Sequence, residues 1–226
     1  MRTATIIGST GLIGGHILDL LIQDNTFDKI RLLVRRPLTI NDPRVEVMVI
    51  DFNNYDQFKA GIAGSNAVFC AVGTTQHKVK GDKEAYRKVD FDIPVNAAKF
   101  CAQAGCEQFL LVSSVGADSK GSNFYIKLKG EVEDEVKKAN VSSIHIFRPS
   151  MLLGHRKQEF RLAERIFQPM MKVLAFMIPV KWKAVKAEDV AKAMVAAAKH
   201  PEPGLHVYEY REIMKLANSV NQRTGR

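Results

Sequence analysis

The sequence predicts an α/β protein built on a doubly wound, mostly parallel sheet with helices on both faces. Three observations predict it. Short apolar, β-rich runs alternate with segments of helical spacing along most of the chain. The run Ala67-Val-Phe-Cys-Ala-Val72 is continuously apolar, as expected of a strand covered on both faces. A glycine-rich turn, Gly8-Ser9-Thr10-Gly11-Leu12-Ile13-Gly14, separates the first strand from the first helix. The 226 residues read as one domain over 1–226, with a small C-terminal helical lobe over 150–185 acting as a substrate lid.

In order, the first strand is Thr3-Ala-Thr-Ile-Ile7, and helical spacing runs over 15–22. The second strand, 30–34, ends in Arg35-Arg36-Pro37. The third, 45–50, ends in Asp51-Phe52, and a short helix follows over 55–62. The fourth strand contains Ala71 and Val72 and opens into Gly73-Thr74-Thr75; a polar loop then runs over 76–82. Helical spacing over 84–104 contains Pro94, which fits a kink or a helix start better than a helix interior. The fifth strand, 108–112, opens into Ser113-Ser114, and the next helix runs over 123–138. The sixth strand, 143–147, ends in Arg148-Pro149-Ser150, and its His145 reads as a satisfied sheet histidine and not a catalyst. One or two amphipathic helices over 158–177, a helix over 188–199, a short strand over 206–208 and a last helix over 211–220 complete the chain.

Apolar content of 46% and charged content of 25% are those of a globular protein, and no apolar run approaches the ~20 residues needed to cross a bilayer. The N-terminal apolar run reads as a strand, not as the core of a signal peptide. Three cysteines argue against a disulfide framework, and Cys101 and Cys106 read as small buried hydrophobes, not metal ligands. A reducing, cytoplasmic location is expected from this. The net charge of +9 is dispersed and lacks an aromatic stacking series, so nucleic acid is not an expected partner, and a polyanionic ligand accounts for part of it. The bulky stretch 160–182 reads as a lid or dimer helix over a substrate pocket in preference to a membrane contact. The chain is expected to be a monomer or homodimer.

Cofactors in doubly wound sheets bind beyond the carboxyl ends of the strands, where these glycines and polar residues fall. Gly8, Gly11 and Gly14 let the backbone approach a pyrophosphate, and the helix N-terminus attracts its charge. Arg35 and Arg36 stand about 20 residues beyond the last glycine, where a carboxylate selects NAD and an arginine accommodates the 2′-phosphate of NADP. NADP(H) is therefore the expected cofactor of this Rossmann-type fold. Asp51 could accept from an adenine amino group or serve as a turn or capping residue. Gly73 and Thr74 would line the phosphate and ribose side. Ser114, Tyr125 and Lys129 form a serine…tyrosine-x-x-x-lysine constellation. A phenol is a poor acid at neutral pH, and a lysine one helical turn away favours its ionised form. Tyr125 would then protonate a carbonyl oxygen that Ser114 holds, while Lys129 also reaches the ribose hydroxyls.

On these segments, together with Leu33-Val-Arg-Arg36, Phe69-Cys-Ala-Val-Gly-Thr-Thr75, Tyr125-Ile-Lys-Leu-Lys-Gly-Glu131 and Phe147-Arg-Pro-Ser150, the chain resembles the atypical short-chain dehydrogenases/reductases. It is most similar to the Tat-interacting-protein type of NADPH-binding oxidoreductase, nearly end to end. The resemblance implies that Ser9, Thr10, Leu12 and Ile13 hold the diphosphate, Arg35 and Arg36 the 2′-phosphate, and Tyr125 and Lys129 the catalytic centre, with Ser114 chosen over Ser113. The sequence departs from the wider pattern at Val89-Asp90, where Val-Asn is usual. The expected activity is reduction of a hydrophobic carbonyl compound. The alternative is an NADPH-binding sensor or scaffold that regulates a protein partner.

Overall fold

The computed structural model describes residues 1–74, 82–153 and 179–221. Seven strands form one sheet: β1 (Thr3–Ile7), β2 (Lys29–Val34), β3 (Val45–Val49), β4 (Ala67–Cys70), β5 (Gln108–Val112), β6 (Ser143–Phe147) and, last in the chain, β9 (Gly204–Tyr208). Their order is β3-β2-β1-β4-β5-β6-β9, and every neighbouring pair is parallel. The chain leaves β1 toward β2 and β3, then returns to lay β4 on the other side of β1. That reversal opens a crevice above the carboxyl ends of β1 and β4.

Because side chains alternate across a strand, successive residues feed two separate cores. Ile6, Leu32, Phe69 and Leu110 point to one face, where they meet Ile17 and Leu21 of α1 (Leu12–Gln23), Met194 of α6 (Ala187–Lys199) and Ile213 of α7 (Tyr210–Asn221). Ile7, Leu33, Cys70 and Leu111 point to the other. There they meet Phe58 of α2 (Tyr55–Ile62), Ala97 and Cys101 of α4 (Ile93–Gln103), and Val132 and Val136 of α5 (Phe124–Lys137). All three cysteines are free and buried. His145 is buried between Ser143 Oγ and Tyr208 Oη, 2.9 Å from each, as a satisfied sheet histidine would be.

The sequence places one kinked helix over 84–104; the structure divides it. Helix α3 (Lys83–Arg87) passes through a π turn (Lys88–Asp92) into α4, with Pro94 in the first turn of α4. Proline has no N–H to donate and its ring crowds the carbonyl four residues back, so the ladder widens by one residue just before it. The π turn buries Asp90. A second, two-stranded ladder pairs β7 (Leu152–Leu153) with β8 (Val185–Lys186). Beside it a single 3₁₀ turn (Val180–Trp182) lays Trp182 against Gly116. The amphipathic helices expected over 158–177 and most of the loop over 76–82 lie outside the described residues.

Candidate cofactor cleft and active site

The turn after β1 is shaped by what its glycines exclude. Gly8 sits at φ +95°, and a Cβ there would lie 2.7 Å from the carbonyl carbon and oxygen of Ala71. A Cβ on Gly14 would lie 2.1 Å from the Gly8 carbonyl oxygen. The glycines thus let β1, the end of β4 and the start of α1 close on one another. The Gly11 N–H donates to the Gly8 carbonyl at 2.9 Å, and α1 begins with no side-chain cap and no acidic residue in its first turn. Its leading N–H groups therefore face outward with the positive end of the helix dipole. Ser9 Oγ is buried and has no hydrogen-bond partner. An uncapped helix start beside an orphaned hydroxyl fits a diphosphate.

A cleft of about 570 Å³ runs from this turn across the strand ends. Gly8, Ser9, Thr10 and Gly11 line it, as do Ala71, Val72 and Gly73 from the end of β4. Arg35, Arg36 and Phe52 form its far end. Both arginines are exposed, and neither has an ion-pair or hydrogen-bond partner among the described residues. Phe52 packs edge-on to Phe58 at 4.9 Å, which fixes its ring. Asp51 lies outside the lining: its carboxylate accepts from the backbone and side-chain N–H groups of Asn53, so it acts as a turn residue here. Leu12, Ile13 and Gly14 also lie outside, as the first turn of α1 behind the rim.

The tyrosine and lysine sit together on α5, which starts at Asn123, whose carboxamide oxygen accepts from the Tyr125 and Ile126 N–H groups. Lys129 Nζ is 5.8 Å from the centre of the Tyr125 ring. Lys129 is buried, and its ammonium donates to Asp90 Oδ1 at 2.9 Å. Burial pulls the lysine pKa down, but Asp90 and then Tyr125 more than offset this and hold it above the ordinary value. The other Asp90 oxygen accepts the Thr74 N–H at 2.7 Å. The Tyr86 hydroxyl lies 3.3 Å from the Thr74 carbonyl. The strand end carrying the cleft wall is thereby tied to the helix carrying Tyr125.

The two adjacent serines have separate environments. Ser113 is buried and donates to Glu133 Oε1 at 2.6 Å; the same carboxylate takes Arg148 Nε at 2.9 Å and Nη2 at 2.6 Å. Ser114 is half-buried, with only a long 3.4 Å contact to the Val115 carbonyl. Pro149 and Ser150 lie behind it: the Pro149 carbonyl accepts from Val115 N–H at 3.0 Å, and the Ser150 hydroxyl donates to the Lys183 carbonyl. Asp90 and Glu133 escaped the sequence as site residues. The one signal for Asp90 is its place where asparagine is usual, and the one for Glu133 is its place in Lys129-Gly-Glu-Val-Glu133, a run on which the family resemblance rests.

A family profile described as NAD(P)H-binding matches residues 8–201. "Protein FMP52, mitochondrial" of Debaryomyces hansenii is 34% identical over 202 residues, 88% of each chain. "Protein HTATIP2" of Rattus norvegicus is 32% identical over 222 residues, 95% of this chain and 89% of that one. Among solved structures, MoeE5 in complex with UDP-glucose and NAD superposes with a TM-score of 0.68 at 14% identity, covering 97% of this chain and 82% of that one. The UDP-N-acetylglucosamine 4-epimerase from Bacillus cereus gives 0.67 at 18%, covering 100% and 86%. At such identities these two attest the Rossmann-type fold alone. The cytoplasmic expectation does not survive: relatives from Debaryomyces hansenii, Scheffersomyces stipitis, Meyerozyma guilliermondii and Candida albicans are named mitochondrial. Three free cysteines do not identify the compartment. With the profile spanning most of the chain and relatives above 30% identity along nearly all of it, the chain belongs to the NAD(P)H-binding family of Rossmann-fold, oxidoreductase-like proteins.

Proposed function

We propose that this chain is an NADPH-dependent oxidoreductase that reduces a hydrophobic carbonyl compound. The observation that carries the reading is the far end of the cleft. Two guanidiniums, Arg35 and Arg36, stand there without ion-pair or hydrogen-bond partners among the described residues, and no carboxylate is among the described residues that line the cleft. Planar forked donors free of protein acceptors suit a 2′-phosphate.

The first-turn N–H groups of Leu12 and Ile13, with the Ser9 and Thr10 hydroxyls, take the diphosphate. Phe52 and the turn at Asp51 bound the adenine end; Ala71, Val72, Gly73 and Thr74 form the wall along the ribose and nicotinamide. Pro149 and Ser150 close the nicotinamide side. When bound, the dinucleotide supplies a hydride to the carbonyl carbon. Ser114 holds the carbonyl oxygen and Tyr125 gives that oxygen its phenolic proton, leaving an alcohol; the phenolate regains a proton from water. Lys129 keeps its positive charge beside the phenol, and two of its three N–H bonds, without a partner among the described residues, would be left for the ribose hydroxyls. Residues 151–153 and 179–185 flank the Ser114 strand end, through Val185 N–H to the Met151 carbonyl and the Ser150 hydroxyl to the Lys183 carbonyl. Exposed Met151, Leu152, Leu153 and Trp182 among them support an apolar substrate.

Equilibrium binding of NADPH and NADH to the purified protein tests this. Tight NADPH and much weaker NADH is expected, followed by NADPH oxidation with a suitable aldehyde or ketone. Equal affinities remove the arginine argument, and binding of neither overturns the proposal. One observation favours a second reading, an NADPH sensor with little turnover: the Lys129 ammonium is already engaged by Asp90. Tyr125→Phe separates the two. An enzyme loses turnover and keeps cofactor affinity, whereas a sensor keeps its response to NADPH.

A further inference from the structure

Two of the three free cysteines face each other across one helix end. Helix α4 stops in a glycine cap. The Gly105 N–H donates to the Ala102 carbonyl at 3.1 Å and the Cys106 N–H to the Cys101 carbonyl at 2.9 Å, with Gly105 at φ +68°. This pair of bonds is the Schellman closure, which folds the residue after the glycine back over the last turn of the helix so that the two side chains meet. In most such caps the contact joins two hydrocarbon side chains. Here it joins two thiols, Cys101 and Cys106, both buried and both free. The Cys101 thiol donates to the Cys106 sulfur and holds the Cys106 thiol below its ordinary range, against its burial. The same contact, then burial, push the Cys101 thiol up. Cys101 Sγ also lies 3.6 Å from the Gln108 carbonyl oxygen, which fixes it at the start of β5.

We propose that Cys101 and Cys106 form a reversible oxidation site, a dithiol that a small hydroperoxide converts into an intramolecular disulfide. Cys106 is the attacking sulfur. It is 4% exposed and stands between exposed Gly105 and Glu107, whereas Cys101 is 0% exposed. Among the described residues, a Cβ on Gly105 would meet nothing within 4 Å, so the approach beside Cys106 is open to a molecule the size of hydrogen peroxide. The Cys106 thiolate takes one peroxide oxygen; the O–O bond breaks, a sulfenic acid forms and hydroxide leaves. The Cys101 sulfur then attacks that of Cys106, the S–O bond breaks and water leaves. The two thiols together give up two electrons and two protons, and hydrogen peroxide is reduced to two waters. An external dithiol reverses the change by exchange. The third cysteine, Cys70, is fully buried with its thiol pushed up to about 12 by that burial, so it stays outside this chemistry. The pair precedes β5, at the opposite end of the strands from the cofactor cleft, and goes beyond the proposed reductase without depending on it.

The test is mass spectrometry of the whole chain, first reduced and then exposed to hydrogen peroxide while folded. Remaining thiols are alkylated in denaturant before digestion with trypsin. Cys101 and Cys106 share the tryptic peptide 100–120, since no lysine or arginine lies between Lys99 and Lys120. That peptide should emerge unalkylated and about 2 Da lighter, and should return to the dithiol with dithiothreitol, while Cys70 remains open to alkylation. Cys101→Ser removes the second sulfur, so Cys106 should stop at a sulfenic acid that dimedone captures. Cys106→Ser should leave Cys101 unreacted. The proposal is overturned if peptide 100–120 stays fully alkylated or only gains oxygen, if its disulfide forms only in urea, or if Cys70 is lost as fast as the pair. Absence of a dimedone adduct in Cys101→Ser, or a Cys101 that reacts at the wild-type rate in Cys106→Ser, overturns it as well. If the serine variants do not fold, the wild-type peptide decides alone. Failure to bind NADPH would sink the reductase and leave this disulfide standing.

Discussion

Gly14 and Gly15 are neighbours on α1, and replacing each by alanine should have opposite effects. A Cβ on Gly14 would lie 2.1 Å from the Gly8 carbonyl oxygen and 2.6 Å from its carbon. Ordinary contact begins near 3.4 Å, so the helix start must move more than 1 Å away from the turn. The obstacle is backbone, which cannot swing aside as a side-chain tip does. Overpacking of this kind costs about 1–3 kcal/mol, which in a chain of this size lowers the melting temperature by roughly 2–12 °C. The same movement pulls the uncapped N–H groups off a bound diphosphate. Each charge-assisted hydrogen bond lost is worth about 1.5–3 kcal/mol, so NADPH affinity should fall at least about tenfold. Among the described residues, a Cβ on Gly15 would find only the Ser9 carbonyl at 3.6 Å, an ordinary contact. That position is helix interior, where alanine is better than glycine by roughly 0.5–1 kcal/mol. Gly15→Ala should therefore raise the melting temperature and leave NADPH binding intact. Thermal unfolding and NADPH titration of both variants provide the check. Equal losses in the two, or a Gly14→Ala protein that melts and binds like the wild type, would refute the reasoning.

Burial, followed by the charge of His206, lowers the His145 pKa to about 4 from an ordinary 6.5. The native state thus favours the neutral ring: the stabilisation is present above pH 6.5 and lost as pH falls to about 4. About 2.5 units at 1.36 kcal/mol each give about 3 kcal/mol, so urea unfolding should show that loss in the wild type and a flatter profile in His145→Gln. Ser113→Ala removes a buried hydrogen bond to a carboxylate and should cost about 1.5–3 kcal/mol of stability, with turnover kept. Ser114→Ala should do the opposite, and turnover measured beside denaturation of both variants tests the assignment. Replacing Arg35 and Arg36 together by alanine should weaken NADPH more than tenfold and NADH hardly at all, read by side-by-side binding; equal losses would remove the 2′-phosphate role. Glu133→Ala leaves the Arg148 guanidinium without its bidentate partner and should destabilise by about 3–5 kcal/mol, measured by chemical unfolding.

The sheet was legible because the strands are short runs rich in apolar residues between turn signals, and a parallel sheet covered on both faces asks for Ala67-Val-Phe-Cys70. The glycine turn and the two arginines were legible because their spacing belongs to the chain itself. What was not legible depends on parts distant in sequence. Nothing local distinguishes Gly14 from Gly15, since the difference is the Gly8 carbonyl. Ser113 and Ser114 separate only once Glu133 of α5 reaches the first of them. Asp90 stands out in the sequence only as a departure from the usual Val-Asn, and its partners appear once a π turn points it at Thr74 and Lys129. Pro94 marked the irregularity, but not its kind.

Helix α1 presents the cleft on one end and leans along its length on α6, some 170 residues later in the chain. Lys199 pairs with Asp24 just beyond the end of α1, and Gln108 Nε2 donates to the Ala198 carbonyl at 3.0 Å. Residues 1–30 therefore contain the glycine turn but not its support, and they leave the ribosome well before residues 187–199. While the chain is still being made, that turn emerges early and must wait for residues 187–199 before its helix is backed on the side away from the sheet. Loading with the dinucleotide thus becomes a late event in biosynthesis, and a nascent chain stalled before α6 should bind it no better than the unfolded protein.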